Sequence, residues 1–224
     1  MVSVMVPNRE NQMVDVVLGY DNIKQYADTV NSPSDFGATI GRYANRINKG
    51  KVTIAGQEYQ LAVNNFGHSL HGGPSGWQYQ VYDATLVDKQ TLKLTIVSPD
   101  GDNGFPGTVT ATATYKLTED NTLDCTFEAT TDKETIINMC NHSYFTLTGN
   151  PGQPGTDMVL YVNADKFTPS DSTYMTTGEV RDVYGTPMDF NKKRPLYECI
   201  GDTSFVQIKN ANGFDHNWCL NTYK

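Results

Sequence analysis

Hydrophobic and polar residues alternate with a period of two along most of this chain. Thr91-Leu92-Lys93-Leu94-Thr95-Ile96 alternates residue by residue, and the run from Thr108 to Thr118 does the same. In the second run Val109, Ala111, Ala113, Tyr115 and Leu117 share one face, with Thr and Lys on the other. Glu119-Asp120-Asn121 is a turn signal, after which Leu123, Cys125, Phe127 and Ala129 resume the pattern. The two runs predict a β-hairpin. Lys51–Ile54 and Glu58–Leu61 predict a second one, with Gly56 supplying the turn. Shorter strands are expected at Val14–Leu18, Tyr79–Val87, Thr135–Cys140, Met158–Val162 and Phe205–Ile208. No window carries apolar residues at i, i+3, i+4, i+7 over three turns; Asn22–Ala27 and Pro195–Ile200 predict single helical turns. The fold class is therefore all-β, an antiparallel meander that must close into a sandwich or barrel to manage its edges. No repeat, low-complexity tract or linker divides it, so residues 1–224 read as one domain.

Composition narrows the function classes. The 224 residues carry 17 Lys+Arg against 25 Asp+Glu, a formal net charge of −8. That balance argues against nucleic-acid partners, which need a Lys/Arg face for counterion release. Aromatic residues at 11% are too many for a disordered chain. No stretch approaches the ~20 apolar residues of a membrane span, and MVSVMVPNRENQ lacks the basic and apolar regions of a signal peptide. Cys125, Cys140, Cys199 and Cys219 are scattered without a CxxC pair, which predicts free thiols and leaves the compartment open, with the cytoplasm favoured.

The polar chemistry sits in the loops. His68 and His71 lie in NNFGHSLHGGP, His142 in NHSYF and His216 in GFDHNW. Histidine is the natural acid–base group near neutral pH, and glycine beside it lets backbone and ligand approach closely. A metal site is one alternative, but His68 and His71 are spaced to diverge on a strand. Arg42 and Arg46 fall in FGATIGRYANRI, where an Arg outside a solvated run is expected to have a partner. Asn45 and Arg46 together make a donor set suited to sugar hydroxyls. Trp77, Trp218 and Phe105 are either core residues or platforms for a sugar ring.

FGATIGRYANRI, HSLHGG, SPDGDNGFPG, NHSYFTL and FDHNW together resemble the aldose 1-epimerase (galactose mutarotase) family, from Phe36 to Trp218. The resemblance implies a large antiparallel β-sandwich that interconverts the α and β anomers of a free hexose such as galactose or glucose. It implies His142 as the general acid toward the ring oxygen and His71 as the second catalytic histidine, hydrogen-bonded to the sugar. It implies Asn45, Arg46, Ser143, Tyr144 and Asp215 as substrate-binding residues, a monosaccharide as the partner, and no cofactor or metal. His68 stands where the family commonly has Asn or Asp, and Thr146 where Asn is common. The family's general base is a glutamate beyond the FDHNW loop, so the resemblance describes most of a larger sandwich, cut at both ends. An inactive sugar-binding protein and a hexose-6-phosphate epimerase are the alternatives on the same fold; the latter calls for a basic cluster that is not evident.

Overall fold

The computed structural model describes residues 1–28 and 35–223. They group into two compact units, Met1–Val4 with Val17–Phe145, and Met5–Val16 with Thr146–Lys224. The strand ladders are antiparallel throughout.

The first unit is built on the long alternating runs. Asp83–Leu86, Thr91–Ser98, Val109–Leu117 and Leu123–Thr131 form a four-stranded meander in sequence order. Val109 faces Thr131 on one side and Ser98 on the other. Because side chains alternate across the pleat, that register gathers Val109, Ala111, Ala113 and Ile96 on one buried face. Trp77 packs there, flanked by Tyr82, Ile137 and Met139. Leu123–Thr131 lies at the sheet's edge, so Cys125 and Ala129 remain exposed although their alternation continues. The second hairpin pairs Lys51–Ile54 with Gln57–Gln60 through Ala55 and Gly56. Both turn residues have positive φ, 50° and 79°, as a tight two-residue turn requires.

The expected helical turns are present. Asn22 caps Ile23–Ala27 by accepting from the Lys24 and Gln25 amides, at 3.1 and 3.2 Å. A 3₁₀ turn spans Leu196–Glu198. Phe205–Ile208, expected as a strand, is instead part of the helix Val206–Ala211. Four residues cannot separate period two from period 3.6. Here Asn212 at φ 51° ends the helix, its amide reaching the Ile208 and Lys209 carbonyls. Tyr79–Val87 is a strand only from Asp83, because Trp77–Tyr79 forms a 3₁₀ turn whose first amide bonds to the Gly41 carbonyl. Of Thr135–Cys140, only Cys140 lies in a strand, Cys140–Asn141.

One segment, residues 38–47, crosses the first unit and ties it together. Thr39–Ile40 pairs with Cys140–Asn141, and Arg46–Ile47 with Ser69–Leu70. Between them Arg42 is 1% exposed. Its Nε donates to Ser98 Oγ at 3.0 Å, Nη1 to the Pro106 carbonyl at 2.9 Å, and Nη2 to the Ser98 and Pro99 carbonyls at 3.0 and 2.8 Å. Ser98 Oγ in turn donates to Asp102 Oδ2 at 2.5 Å. Burial pushes the Arg42 pKa down, while Asp102, Asp100 and Asp132 favour the charge. The SPDGDNGFPG loop is thus wrapped around a guanidinium and serves as scaffold. Phe105 is buried within it, beside Arg42. The glycine at 41 is required, because a Cβ there would lie 1.9 Å from the Trp77 ring.

The second unit has its own core, Phe167, Val183, Met188 and Ile208, with Phe205, Phe214 and Trp218 packed against it. Lys166–Thr168 is the central strand, flanked by Arg181–Asp182 and Asn217–Cys219. Met5–Pro7 and Met13–Asp15 form a short hairpin in the same unit. The four cysteines are free, with Cys199 buried and Cys125 exposed.

Arg42→Met should destabilise the fold by about 3 kcal/mol or more, because three buried carbonyls lose their donors at once. Urea unfolding measures the change.

Candidate functional site

In the first unit the structure assembles Asn45, Arg46, His71, His142, Ser143 and Tyr144. The connection starts with Asn45 and His71, two residues with positive φ, 63° and 51°. They exchange hydrogen bonds: the His71 amide donates to the Asn45 carbonyl at 3.1 Å, and the Asn45 amide donates to His71 Nδ1 at 3.0 Å. An Nδ1 that accepts cannot carry the proton, so the neutral ring is the Nε2–H tautomer. The glycine after His71 is required too, since a Cβ at Gly72 would meet the Gly41 carbonyl oxygen at 2.1 Å.

His142 reaches the same place from the other side. Its amide donates to the Ala38 carbonyl at 2.9 Å, and its carbonyl accepts from Gly37 at 3.2 Å. The His142 ring stands edge-on to His71, centroids 5.1 Å apart at 84°. Tyr144 packs against the far side of His142 at 5.3 Å, and Phe36 against Tyr144 at 5.2 Å. His142 Nδ1 and Ser143 Oγ are buried without a hydrogen-bond partner. Buried polar atoms left unpaired are uncommon and mark a place where a ligand's hydroxyls can be accommodated.

The electrostatics separate the two histidines. Burial, the neighbouring His142 and the Arg46 cation push the His71 pKa down to about 4. At neutral pH His71 is therefore uncharged and presents an Nε2–H donor. Arg46 is half-buried, and its Nε and Nη2 both donate to Asn65 Oδ1, at 3.2 and 2.9 Å. Its amide caps onto Asn45 Oδ1 at 2.7 Å.

Some residues of this neighbourhood carry no distinctive sequence signal. Asn65 is one. Asp35 is another: burial raises its pKa, opposed by a hydrogen bond with Tyr79 and by the His142 charge. Tyr79 is in turn pushed up to about 12, by burial and then by Asp35. Asp35 and Tyr79 line a cavity of about 300 Å³ in the first unit together with Phe36, Gln78 and Tyr82. That cavity does not include the two histidines or Arg46.

Other candidates have structural tasks. Trp77 and Phe105 are buried in the core and offer no face to a sugar. His68 is buried and its Nδ1 accepts from the Lys49 amide at 3.0 Å. In the second unit, Trp218 packs on Phe190, Phe214 and His216 and donates its Nε1–H to the Met188 carbonyl at 3.0 Å. Asp215 is exposed there, in the loop before Asn217–Cys219. Its amide donates to His216 Nδ1 at 3.2 Å, so His216 Nε2 donates to Gln207 Oε1 at 3.1 Å. Among the described residues no group of three or more His, Cys, Asp or Glu is arranged to hold a metal ion, and no helix is long and apolar enough to cross a membrane.

The chain was compared with known proteins. Residues 1–224 match the family model described as aldose 1-epimerase. A galactose mutarotase from Sus scrofa is 37% identical over 219 residues, covering 98% of this chain and 61% of that protein. An aldose 1-epimerase from Escherichia coli strain K12 is 32% identical over 221 residues, covering 98% of this chain and 62% of that protein. The crystal structure of galactose 1-epimerase from Lactobacillus acidophilus NCFM matches with a TM-score of 0.84 at 32% identity, over 94% of this chain and 62% of that one. The GalM/aldose epimerase homologue from C. elegans matches with a TM-score of 0.83 at 29% identity, over 90% of this chain and 60% of that one. The chain thus spans about three fifths of the length of the curated relatives it matches. The antiparallel all-β reading agrees with these structures, and the motifs that carry the resemblance hold the paired histidines described above. The chain belongs to the aldose 1-epimerase family.

Proposed function

We propose that this protein is an aldose 1-epimerase acting on a free aldohexose such as galactose or glucose. The observation that carries the reading is the pair His71 and His142, one held neutral with a fixed tautomer, the other presenting a buried, unpartnered nitrogen beside it. Anomer interconversion is a proton transfer at both ends of one C–O bond. An acid protonates the ring oxygen while a base takes the proton of the C1 hydroxyl. The C1–O5 bond breaks to give the open-chain aldehyde and a C5 hydroxyl. Rotation about C1–C2 presents the other carbonyl face, and the reverse transfers close the ring.

The two histidines cannot share the acid role. A ring with a pKa near 4 is unprotonated at neutral pH and cannot be reloaded there, so His71 does not supply the proton. The resemblance of the NHSYF motif gives the acid role to His142. His71, uncharged, contributes an Nε2–H to the sugar. Asn45 and Arg46 bind ring hydroxyls, and Ser143 and Tyr144 belong to the His142 loop. The base is not assigned to any of these residues. Nothing in this chemistry calls for a redox group.

Polarimetry of freshly dissolved α-D-galactose with the complete gene product tests the reading directly: the protein should speed equilibration beyond buffer alone, and a rate equal to buffer would remove the reading. Residues 1–224 alone, with no base assigned among them, should show little or no turnover. Given turnover, His142→Ala should lower kcat by about 10²–10⁴-fold, the contribution of a positioned acid.

A second expectation concerns pH. The unfolded chain binds a proton at residue 71 near the ordinary imidazole value of about 6.5, whereas the folded chain does so only near about 4. Stability from His71 is therefore complete above the unfolded value and lost as pH falls through that window. His71→Asn should flatten the decline, with His216, also lowered by burial, retaining part of the slope. Urea midpoints across about pH 4 to 7 would show it.

A further inference from the structure

We propose that Asn65 is a positioning residue: it holds the Arg46 guanidinium in the orientation from which Arg46 meets the sugar hydroxyls, and does so without adding negative charge beside His71. The inference rests on the epimerase reading.

Asn65 lies outside the segment that carries Arg46, in the NNFGHSLHGG loop. Its side-chain oxygen receives two donors from one guanidinium, Nε and Nη2. A guanidinium only donates, so the group facing it must be the carbonyl oxygen of the amide. The contact is part-buried and fork-like, which fixes the plane of the guanidinium as well as its place.

The loop that presents Asn65 is set independently of this side chain. Phe66 and Gly67 form a tight turn with φ of 46° and 83°, closed by His68 N to the Asn65 carbonyl at 2.8 Å and Asn65 N to the His68 carbonyl at 3.2 Å. Asn64 grips Leu70 at both ends, donating to its carbonyl at 3.0 Å and accepting from its amide at 2.7 Å. His68 is pinned to the Lys49 amide. Losing the Asn65 side chain therefore removes this hold on the Arg46 guanidinium rather than unfolding the loop.

The choice of amide over carboxylate has a consequence at His71. The Arg46 cation is one of the two charged neighbours that hold His71 unprotonated, His142 being the other. A carboxylate at position 65 would bind Arg46 with the same fork but oppose its charge. The neutral oxygen keeps Arg46 in place and leaves its field acting on His71.

Two variants separate these effects. In Asn65→Ala, KM for galactose should rise about tenfold with kcat changed less than about twofold, and the His71 midpoint in an NMR titration should move up from about 4 as Arg46 swings away. In Asn65→Asp, which restores an acceptor in place, KM should return toward the wild-type value while the His71 midpoint still moves up. Unchanged KM and an unmoved His71 midpoint in Asn65→Ala would overturn the inference. So would loss of affinity in Asn65→Ala that Asn65→Asp fails to restore. If the wild-type protein neither turned over nor bound galactose, the epimerase reading would fall and the sugar-binding half of this inference with it. The His71 titration in Asn65→Ala would still decide, without turnover, whether Asn65 places Arg46.

Discussion

A buried arginine is the fixed point of the first unit. Arg42 gives its donors to three backbone carbonyls and one hydroxyl, all around the end of one long strand and the loop leading to the next. The ladders on either side of it are only two residues long, Thr39–Ile40 with Cys140–Asn141 and Arg46–Ile47 with Ser69–Leu70. Ladders that short do not hold themselves in water. The segment between them is held instead by Arg42, by the close approach of Gly41 to Trp77, and by Asn138, whose amide bonds to the Arg42 carbonyl at 2.8 Å and whose side-chain Nδ2 donates to the Ala44 carbonyl at 3.3 Å. One end of the segment fixes His142 and the other fixes Asn45, Arg46 and His71. Geometry at the histidine pair is therefore set by a cation that never meets it.

The same arrangement governs charge. Burial does most to keep the His71 ring neutral, and the neighbouring imidazole and guanidinium add to it. His71 carries three reasons to remain unprotonated: burial, His142 and Arg46. Its Nδ1 is already taken by a backbone amide, so protonation there would also break a hydrogen bond.

What was legible in the sequence follows the length of the pattern. The runs at 91–96, 108–118 and 123–129 extend far enough for alternation to fix the strands and their hairpin, and Ala55-Gly56 fixes its turn. Phe205–Ile208 is too short for that, and its helix is set by Asn212 and by packing of Ile208 beneath Phe167 and Met188. The two-residue ladders carry no periodic signal at all, because tertiary contacts form them. At the site, His71, His142, Asn45, Arg46, Ser143 and Tyr144 stood out through motif resemblance and polar loop composition. Asn65 and Asp35 did not. Their place depends on a turn folding back and on a contact across the unit, neither of which local residue choice displays.

Arg42 and Arg46 show why residue type in a polar loop does not by itself separate scaffold from site. They lie four positions apart in one motif, and both are held by neutral oxygens. Arg42 is fully buried, and its hydrogen bonds end on main-chain carbonyls and on Ser98; replacing those partners would mean moving backbone. Arg46 is half-buried, and its fork closes on one side-chain amide at the tip of a turn. A guanidinium bonded to backbone defines where the chain goes. One bonded to a side-chain amide, beside a histidine whose ionisation it depresses, is placed by a loop rather than placing one. The distinction lies in where each donor's hydrogen bond ends, and it assigns SPDGDNGFPG to the scaffold.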